Sequence, residues 1–324
     1  MKKHRLIAAS LAAGLLLTGC LPNRTLVDHS KEDIEVKRGR IQMPSQASLS
    51  RVRTLEQGRM TTIYCQMTGI GDTAADNKVL FPQRMQAAVG ITNRQANRRF
   101  MDMLLGTRRF KVYDDSSTVL REKSDIVIDG MVTFAHQEII SADSIRKIRT
   151  TVQLSVQMKD VMTGENLFPG GLNVTGDYGM TQGEGTPLLP RDNVNDPAIQ
   201  NKAAADYQRA LEKAFAEVTR RVGEVLRPMG KVLSVDETSV SIHGGFIHGF
   251  QSNDELVIFR GEVGRVGGGD KFIRTRPVAV VRCDGTGDET SQCDIIHLDP
   301  KLNPQVGDYA ILSDLSINQH PRKE

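Results

Sequence analysis

The feature that most constrains the fold of this sequence is the alternation of apolar and polar residues in KIRTTVQLSVQMKD, residues 147–160. Every second residue from Ile148 to Met158 is apolar or threonine, and side chains two positions apart lie on the same face of a strand. The pattern therefore predicts a long strand with one face in a core. VMTGE then predicts a turn, and NLFPGGLNVTGDY predicts the return strand.

Two segments have helical periodicity. In the last third of the chain, there is no helical periodicity and strand alternation extends over only a few residues at a time. One predicted helix runs from Thr92 or Asn93 to about Leu105, and the other from about Pro197 to Leu226. From residue 230 onward, short strand-like runs are separated by Gly, Asn and Asp. We therefore predict an α+β fold: a folded α/β domain over residues 59–228, a small all-β domain over 229–315 that is either barrel-like or a sandwich, and a tail over 316–324.

The first twenty residues have the layout of a secretory signal peptide. Three Lys or Arg residues stand among the first five, and an apolar run from Ile7 to Leu17 follows, which is too short to span a bilayer. The next residues, LTGC, resemble the bacterial lipobox, in which the chain is cut before the cysteine and the cysteine is lipidated. A signal peptide over residues 1–19 and lipidation of Cys20 are therefore predicted. The alternative is a free thiol that closes an ordinary signal peptide.

The segment after Cys20 is expected to be a lipidated, flexible tether over residues 20–58, because it is polar and weakly periodic. The residue after the cysteine is Leu21 and not an aspartate. By resemblance to enteric lipoproteins, this implies sorting to the outer membrane. Removal of residues 1–19 takes three positive charges from a formal +3, so the remaining chain is near neutral. No nucleic-acid partner is expected, and arginine pairs such as Arg108–Arg109 are interpreted as solvated faces.

Cysteine spacing leaves two possibilities open for the C-terminal region. Cys283 and Cys293 flank the Gly-rich segment DGTGDETSQ, which predicts a turn between two strands. In an oxidising compartment a disulfide across this hairpin is expected, and two free thiols are the alternative. A zinc site that adds His297 is less favoured, because the spacing is not a familiar ligand pattern. Cys65 lies in a strand-like run and is predicted to be a small core residue.

Residues 92–134 and the turn at Thr163–Gly164–Glu165 resemble a segment of CsgG-like and TolB-amino-terminal-like lipoproteins. The resemblance covers about residues 59–228 and implies that this region is an α/β sandwich of the same kind. The positions that carry it are Gly106, Arg109, Phe110, Val112, Asp114, Asp125, Ile126, Val127 and Gly130.

Residues 230–314 resemble the carboxy-terminal domain of FlgT, a flagellar ring protein. The resemblance implies a small β-domain in an envelope ring, although this sequence lacks the amino-terminal domain of FlgT and carries the lipobox. The positions that carry it are Gly230, Val232, Val240, Ile242, Gly249, Asn253, Leu256, Val257, Gly307, Asp308 and Ala310.

The sequence contains no recognisable catalytic motif. It has no Gly-x-Ser-x-Gly and no His-Glu-x-x-His, and His243 and His248 lack a third ligand at metal spacing. We therefore expect no enzyme activity, no cofactor and no metal. The resemblances imply an outer-membrane-anchored periplasmic lipoprotein that forms a homo-oligomer and binds envelope proteins, as a structural or assembly component of a flagellar ring or secretion apparatus.

Two alternative functions remain open. One is a subunit of a CsgG-type outer-membrane secretion channel, which is disfavoured because neither face of the strand around residues 132–141 is apolar throughout. The other is an LpoB-like activator of a cell-wall synthase, since such activators share a lipid anchor, a long tether and a TolB-like fold.

Overall fold

The computed structural model describes residues 36–45, 49, 58–70, 78–81, 93–113, 118–142, 145–266 and 269–318, which all belong to one compact unit. Within these residues the fold is mixed α+β, with two sheets and four helices. The signal peptide, Cys20 and Asp114 lie outside the described residues. No helix in the described ranges is both long and apolar enough to cross a membrane.

The first sheet has five strands: β2 (Thr61–Ile70), β3 (Phe110–Tyr113), β4 (Ile126–Ala142), β5 (Ile145–Asp160) and β6 (Leu172–Tyr178). Their order is β3-β2-β4-β5-β6, with β2 parallel to β3 and β4 and the other neighbours antiparallel. The alternation that predicted β5 is confirmed, because Ile148, Val152 and Met158 are all fully buried.

Two helices cover the apolar face of this sheet, and a short third one lies between β3 and β4. They are α1 (Asn93–Gly106), α2 (Thr118–Lys123) and α3 (Pro197–Val225). The side chain of Asp196 accepts a hydrogen bond from the Ala198 amide and caps the start of α3. Helix α3 lies so close to β6 that a Cβ atom on Gly176 would be 2.0 Å from the Ala210 carbonyl oxygen.

Asp125 fastens the start of β4 to β2. Its carboxylate accepts hydrogen bonds from the amide and hydroxyl of Thr62, at 2.7 and 2.8 Å, and from the Arg59 guanidinium at 2.8 and 3.0 Å. Burial alone would raise the pKa of Asp125, but these hydrogen bonds outweigh it and hold the pKa below its ordinary value. Asp125, one of the two acidic positions of the CsgG-like resemblance, thus holds β4 against β2 in this chain.

The second sheet has seven strands: β1 (Lys37–Arg38), β7 (Met229–Val235), β8 (Ser239–His243), β9 (Glu255–Val266), β10 (Gly269–Thr286), β11 (Thr290–Leu298) and β12 (Tyr309–Leu312). Their order is β1-β11-β10-β9-β12-β7-β8. Strand β8 also pairs with β11. Since β11 and β8 stand at the two ends of the order β11-β10-β9-β12-β7-β8, this pairing connects the two ends of that six-stranded part of the sheet. A short helix, α4 (Asp314–Asn318), follows β12 and occupies the start of the predicted tail.

Part of the segment assigned to a flexible tether is instead packed on the second sheet. Residues 36–45 and Leu49, here called the N-terminal strap, include β1, which pairs in parallel with β11 at His297 and Leu298. Ile41 and Leu49 are 5% and 2% exposed and join the apolar cluster that contains Phe259. The polar composition of the segment obscured these few apolar residues, whose burial holds the strap in place.

Candidate functional site

A buried ion pair connects the two sheets. The Arg109 guanidinium donates hydrogen bonds to both oxygens of Asp254, at 2.9 and 2.8 Å, and to the Gly249 carbonyl at 2.9 Å. The side chains of Arg109 and Asp254 are only 10% and 6% exposed. The expectation of a solvated face at Arg108–Arg109 was therefore wrong for Arg109, because the turn between α1 and β3 directs this side chain towards the loop before β9.

Further hydrogen bonds brace the same junction. Gln251 donates from Nε2 to the Thr107 carbonyl at 2.6 Å. Arg227, which follows α3 and is 3% exposed, donates to the Leu312 carbonyl at 2.8 Å and forms an ion pair with Asp314. Hydrogen bonds from charged donors are stronger than neutral ones, so the contacts of Arg109 and Arg227 contribute most to holding this junction together.

A pocket of about 310 Å³ opens beside this junction. The end of α1, the C-terminal half of α3, and α4 form its walls. Its lining is mostly apolar and includes Met103, Phe110, Ala216, Gly223 and Ile317. A concave apolar pocket with a few polar groups is the usual form of a small-molecule site, and this one is the candidate functional site of the described chain.

The polar side chains that line the pocket are three hydroxyls, one amide and two arginines, which belong to Thr107, Thr219, Ser316, Gln251, Arg109 and Arg220. Thr219 is 9% exposed, and its Oγ1 is buried with no hydrogen-bond partner among the described residues. Arg220 donates to both oxygens of Glu217, at 2.8 and 2.5 Å, and also pairs with Glu224. Arg109 is held by Asp254. Each cation of the pocket therefore already has an acidic partner, whereas the buried Thr219 hydroxyl has none among the described residues.

The predicted cysteine pair lies away from this pocket, in the second sheet. Cys283 on β10 and Cys293 on β11 are directly opposite each other, fully buried, and joined by a disulfide. Their sulfur atoms are therefore not free to bind zinc with His297. Within the described ranges, no group of three His, Cys, Asp or Glu side chains could hold a metal ion. Cys20, the predicted lipidation site, lies outside the described residues.

His243, the last residue of β8, and His248, in the connection that follows, lie together but have a structural role. The ring centroids of His243 and His248 are 5.1 Å apart, and Nδ1 of His248 accepts a hydrogen bond from the Gly245 amide at 3.1 Å. Burial lowers the pKa of His248, and the neighbouring charge of His243 lowers it further. Burial raises the pKa of the Cys65 thiol, which is fully buried in the core between the first sheet and its helices.

The sequence did not predict a junction or a pocket at these residues, although Gly106, Arg109 and Phe110 carry the CsgG-like resemblance and Gly249 carries the FlgT-like one. Thr219 gave a weak signal, since it stands four residues after Phe215, on the buried stripe of α3, where an apolar residue would be expected. The pairing of Arg109 with Asp254 gave no signal, because the two partners are 145 residues apart in the chain.

Comparisons with known proteins give only distant likenesses. No protein-family model matches the sequence, and no curated protein matches it. Among solved structures, the chain is similar to a neuraminyllactose-binding hemagglutinin homolog from Helicobacter pylori, with 8% identity and a TM-score of 0.31 over 56% of this chain and 92% of that one. It is also similar to a hypothetical protein from Chlamydia trachomatis, with 11% identity and a TM-score of 0.29 over 51% and 98% of the two chains. A third is the PelC dodecamer from Paraburkholderia phytofirmans, with 12% identity and a TM-score of 0.24 over 48% and 89%. At these values the likeness does not extend to function.

Proposed function

We propose that this chain is a lipoprotein held at the periplasmic face of the outer membrane by acyl chains on Cys20. We further propose that it is a structural or assembly component of an envelope-spanning machine, such as a flagellar ring or a secretion apparatus. The basic start, the short apolar run and LTGC support the anchor. Each buried methylene contributes about 0.8 kcal/mol, so several acyl chains together would hold the protein almost irreversibly.

The observation that carries the proposal is the N-terminal strap. Its first described residue, Val36, is only about 16 residues after Cys20, and an extended chain spans at most about 3.6 Å per residue, or about 58 Å in total. From β1 onward the strap is hydrogen-bonded to β11 and buried through Ile41 and Leu49. A short connection to a rigid body suits a component that must stand within a fixed distance of the membrane.

The use of buried charge also supports a structural role. The Arg109–Asp254 pair and the Arg227 contacts hold the sheets together, and the Arg109 guanidinium is already engaged by Asp254 where it lines the pocket. Pairing a buried charge in this way avoids its large desolvation cost and fixes one geometry. We therefore propose a body that binds and positions other proteins, without catalytic activity, cofactor or nucleic-acid partner.

Two edges of the first sheet that have no further strand among the described residues support a homo-oligomer. Within the described ranges, β3 pairs only with β2, and β6 pairs only with β5. They are opposite edges of one sheet, and unpaired strand edges are ready templates for pairing with another chain. Contact between unlike edges of successive copies is head-to-tail, which closes a ring when the rotation allows it. We propose that copies of this chain associate in that way.

The finer architecture belongs to the same proposal. The pairing of β8 with β11 supports a small barrel over residues 229–315, and the helix-covered first sheet supports a separate α/β sandwich domain over 59–228. Their kinship with the FlgT carboxy-terminal domain and with CsgG-like or TolB-like domains rests on the motifs quoted above.

The anchor is tested by cell fractionation with two cysteine variants. Cys20→Ser is expected to appear in the soluble periplasm, whereas the native chain stays with outer membranes after a high-salt wash. Cys65→Ala is the matched control, because Cys65 is buried in the core and its loss leaves the lipidation site intact. The anchor is refuted if Cys20→Ser remains with the membrane as firmly as the native chain.

The assembly role is tested on the lipidated chain extracted in detergent. Cross-linking in intact cells is expected to give a ladder of homo-oligomers and to capture envelope proteins, and negative-stain microscopy is expected to show rings. A strict monomer with no envelope partner would contradict the assembly role while leaving the anchor untouched.

A further inference from the structure

We propose that the pocket beside the junction binds a small uncharged amphiphile, with an apolar body and one hydrogen-bonding group. This inference is independent of the lipid anchor and of the proposed assembly role.

The size of the pocket sets the size of the ligand. A volume of about 310 Å³ lies at the lower end of the range for ligand sites. At about 30 Å³ for each water-sized group, it accommodates about ten non-hydrogen atoms. Met103, Phe110 and Ile317 contribute apolar surface to the lining, so most of those atoms should be carbon.

Thr219 indicates the hydrogen-bonding group. Its Oγ1 is buried and has no hydrogen-bond partner among the described residues, although buried hydroxyls in proteins are nearly always paired. The Oγ1 atom has almost no accessible surface in this structure, so it would meet a bound molecule only after a change of χ1, and threonine in a helix occupies two χ1 rotamers. A hydroxyl or carbonyl group of a ligand would supply the missing partner.

The arginines at the pocket indicate that the ligand is uncharged. Arg109 is engaged by Asp254, and Arg220 is engaged by Glu217 and Glu224. A ligand carboxylate would therefore meet no unpaired cation among the lining residues, and burying an unpaired charge is strongly unfavourable. A ligand ammonium group is disfavoured for the same reason. The nearby carboxylates of Asp254, Glu217 and Glu224 are already paired with arginines and would not neutralise it.

Gly223 provides a way to close the pocket without harming the fold. A Cβ atom at this position would have only the Ile317 Cγ2 atom nearby, at an ordinary contact distance of 3.6 Å. A leucine side chain can therefore extend into the pocket. Alanine and leucine are both better helix formers than glycine, so neither substitution should destabilise α3.

The experiment titrates the full chain carrying Cys20→Ser, so that no acyl chain or detergent competes, with 1-octanol in calorimetry. We expect one saturable site, and binding of octanoate at least about tenfold weaker. Thr219→Val, which removes only the hydroxyl, is expected to weaken octanol binding about two- to tenfold, the equivalent of one hydrogen bond. Gly223→Leu is expected to abolish binding, while the matched control Gly223→Ala retains it.

Melting temperatures of the same variants separate a closed pocket from a lost fold. If the pocket is closed and the fold is kept, Gly223→Leu should melt at a temperature no lower than that of the native chain. Octanol binding to Gly223→Leu at native strength would overturn the site. Equal binding of octanol and octanoate would overturn the argument that the ligand is uncharged, and uptake of octanol without saturation would overturn the proposal as a whole.

Discussion

Replacing Arg109 with methionine is expected to lower the free energy of unfolding by about 3–5 kcal/mol, because it leaves the Asp254 carboxylate buried without its cation. Methionine keeps the length of the side chain but removes the guanidinium, whose three hydrogen bonds span the two sheets at 2.8–2.9 Å.

The magnitude follows from burial rather than from the number of contacts. The side chains of Arg109 and Asp254 are 10% and 6% exposed, so an Asp254 carboxylate without its cation would be poorly hydrated. By contrast, Arg99 and Glu212 form an ion pair at 2.6 Å with side chains that are 35% and 45% exposed. Removal of such an exposed pair costs less than about 1 kcal/mol, which makes Arg99→Met the matched control.

The assay is urea unfolding followed by circular dichroism, supported by melting temperatures. A loss of 3–5 kcal/mol should lower the melting temperature by about 6–10 °C for a chain of this size. The double variant Arg109→Met with Asp254→Asn should recover a large part of the loss, because the buried charge is gone and the amide oxygen can still accept the hydrogen bond from the Gln251 amide.

The reasoning is refuted if Arg109→Met costs no more than Arg99→Met. It is also refuted if the double variant is less stable than Arg109→Met, since the penalty would then come from lost packing and not from an unpaired charge.

Two further predictions concern the disulfide and a buried carboxyl. The Cys283–Cys293 bridge closes a loop with a sequence separation of 10, so Cys293→Ala should lower the free energy of unfolding by about 3 kcal/mol; alkylation of both cysteines in the unfolded native chain without reductant would contradict the bridge. Burial raises the pKa of Asp206 above its ordinary value of 3.8, despite a hydrogen bond from the Thr186 amide. The folded state therefore binds the proton more tightly than the unfolded state, and the ionised form weakens stability at neutral pH. Asp206→Asn should accordingly raise the free energy of unfolding at pH 7, and urea titrations should show the gain shrinking as the pH falls towards 4; a gain independent of pH would contradict this.

Local pattern was enough to predict the strongest elements. The alternation from Ile148 to Met158 predicted β5, and the apolar stripe before Leu226 predicted α3, which ends at Val225. Both patterns act through residues close together in sequence, so the periodicity of one segment specifies which face is buried. Gly164, predicted in the turn after β5, has a φ of 71°, a conformation that glycine adopts without strain.

Local pattern failed where a few residues met distant partners. The strap was expected to be a flexible tether, because Ile41 and Leu49 are isolated among polar residues. Their partners, such as Phe259 and Ile311, come from the far end of the chain. The pocket was equally hidden, since its walls come from α1, α3 and α4, and only their packing leaves a space beside Thr219.

The sequence by itself determined the α+β class, the main strands and helices, and the predictions for Cys20 and the Cys283–Cys293 hairpin, because each depends on neighbouring residues. Tertiary structure decided that Arg109 is buried, that the strap is fixed, and that a pocket exists. Burial and pairing depend on which distant surfaces meet, and periodicity within a segment carries no information about its partner.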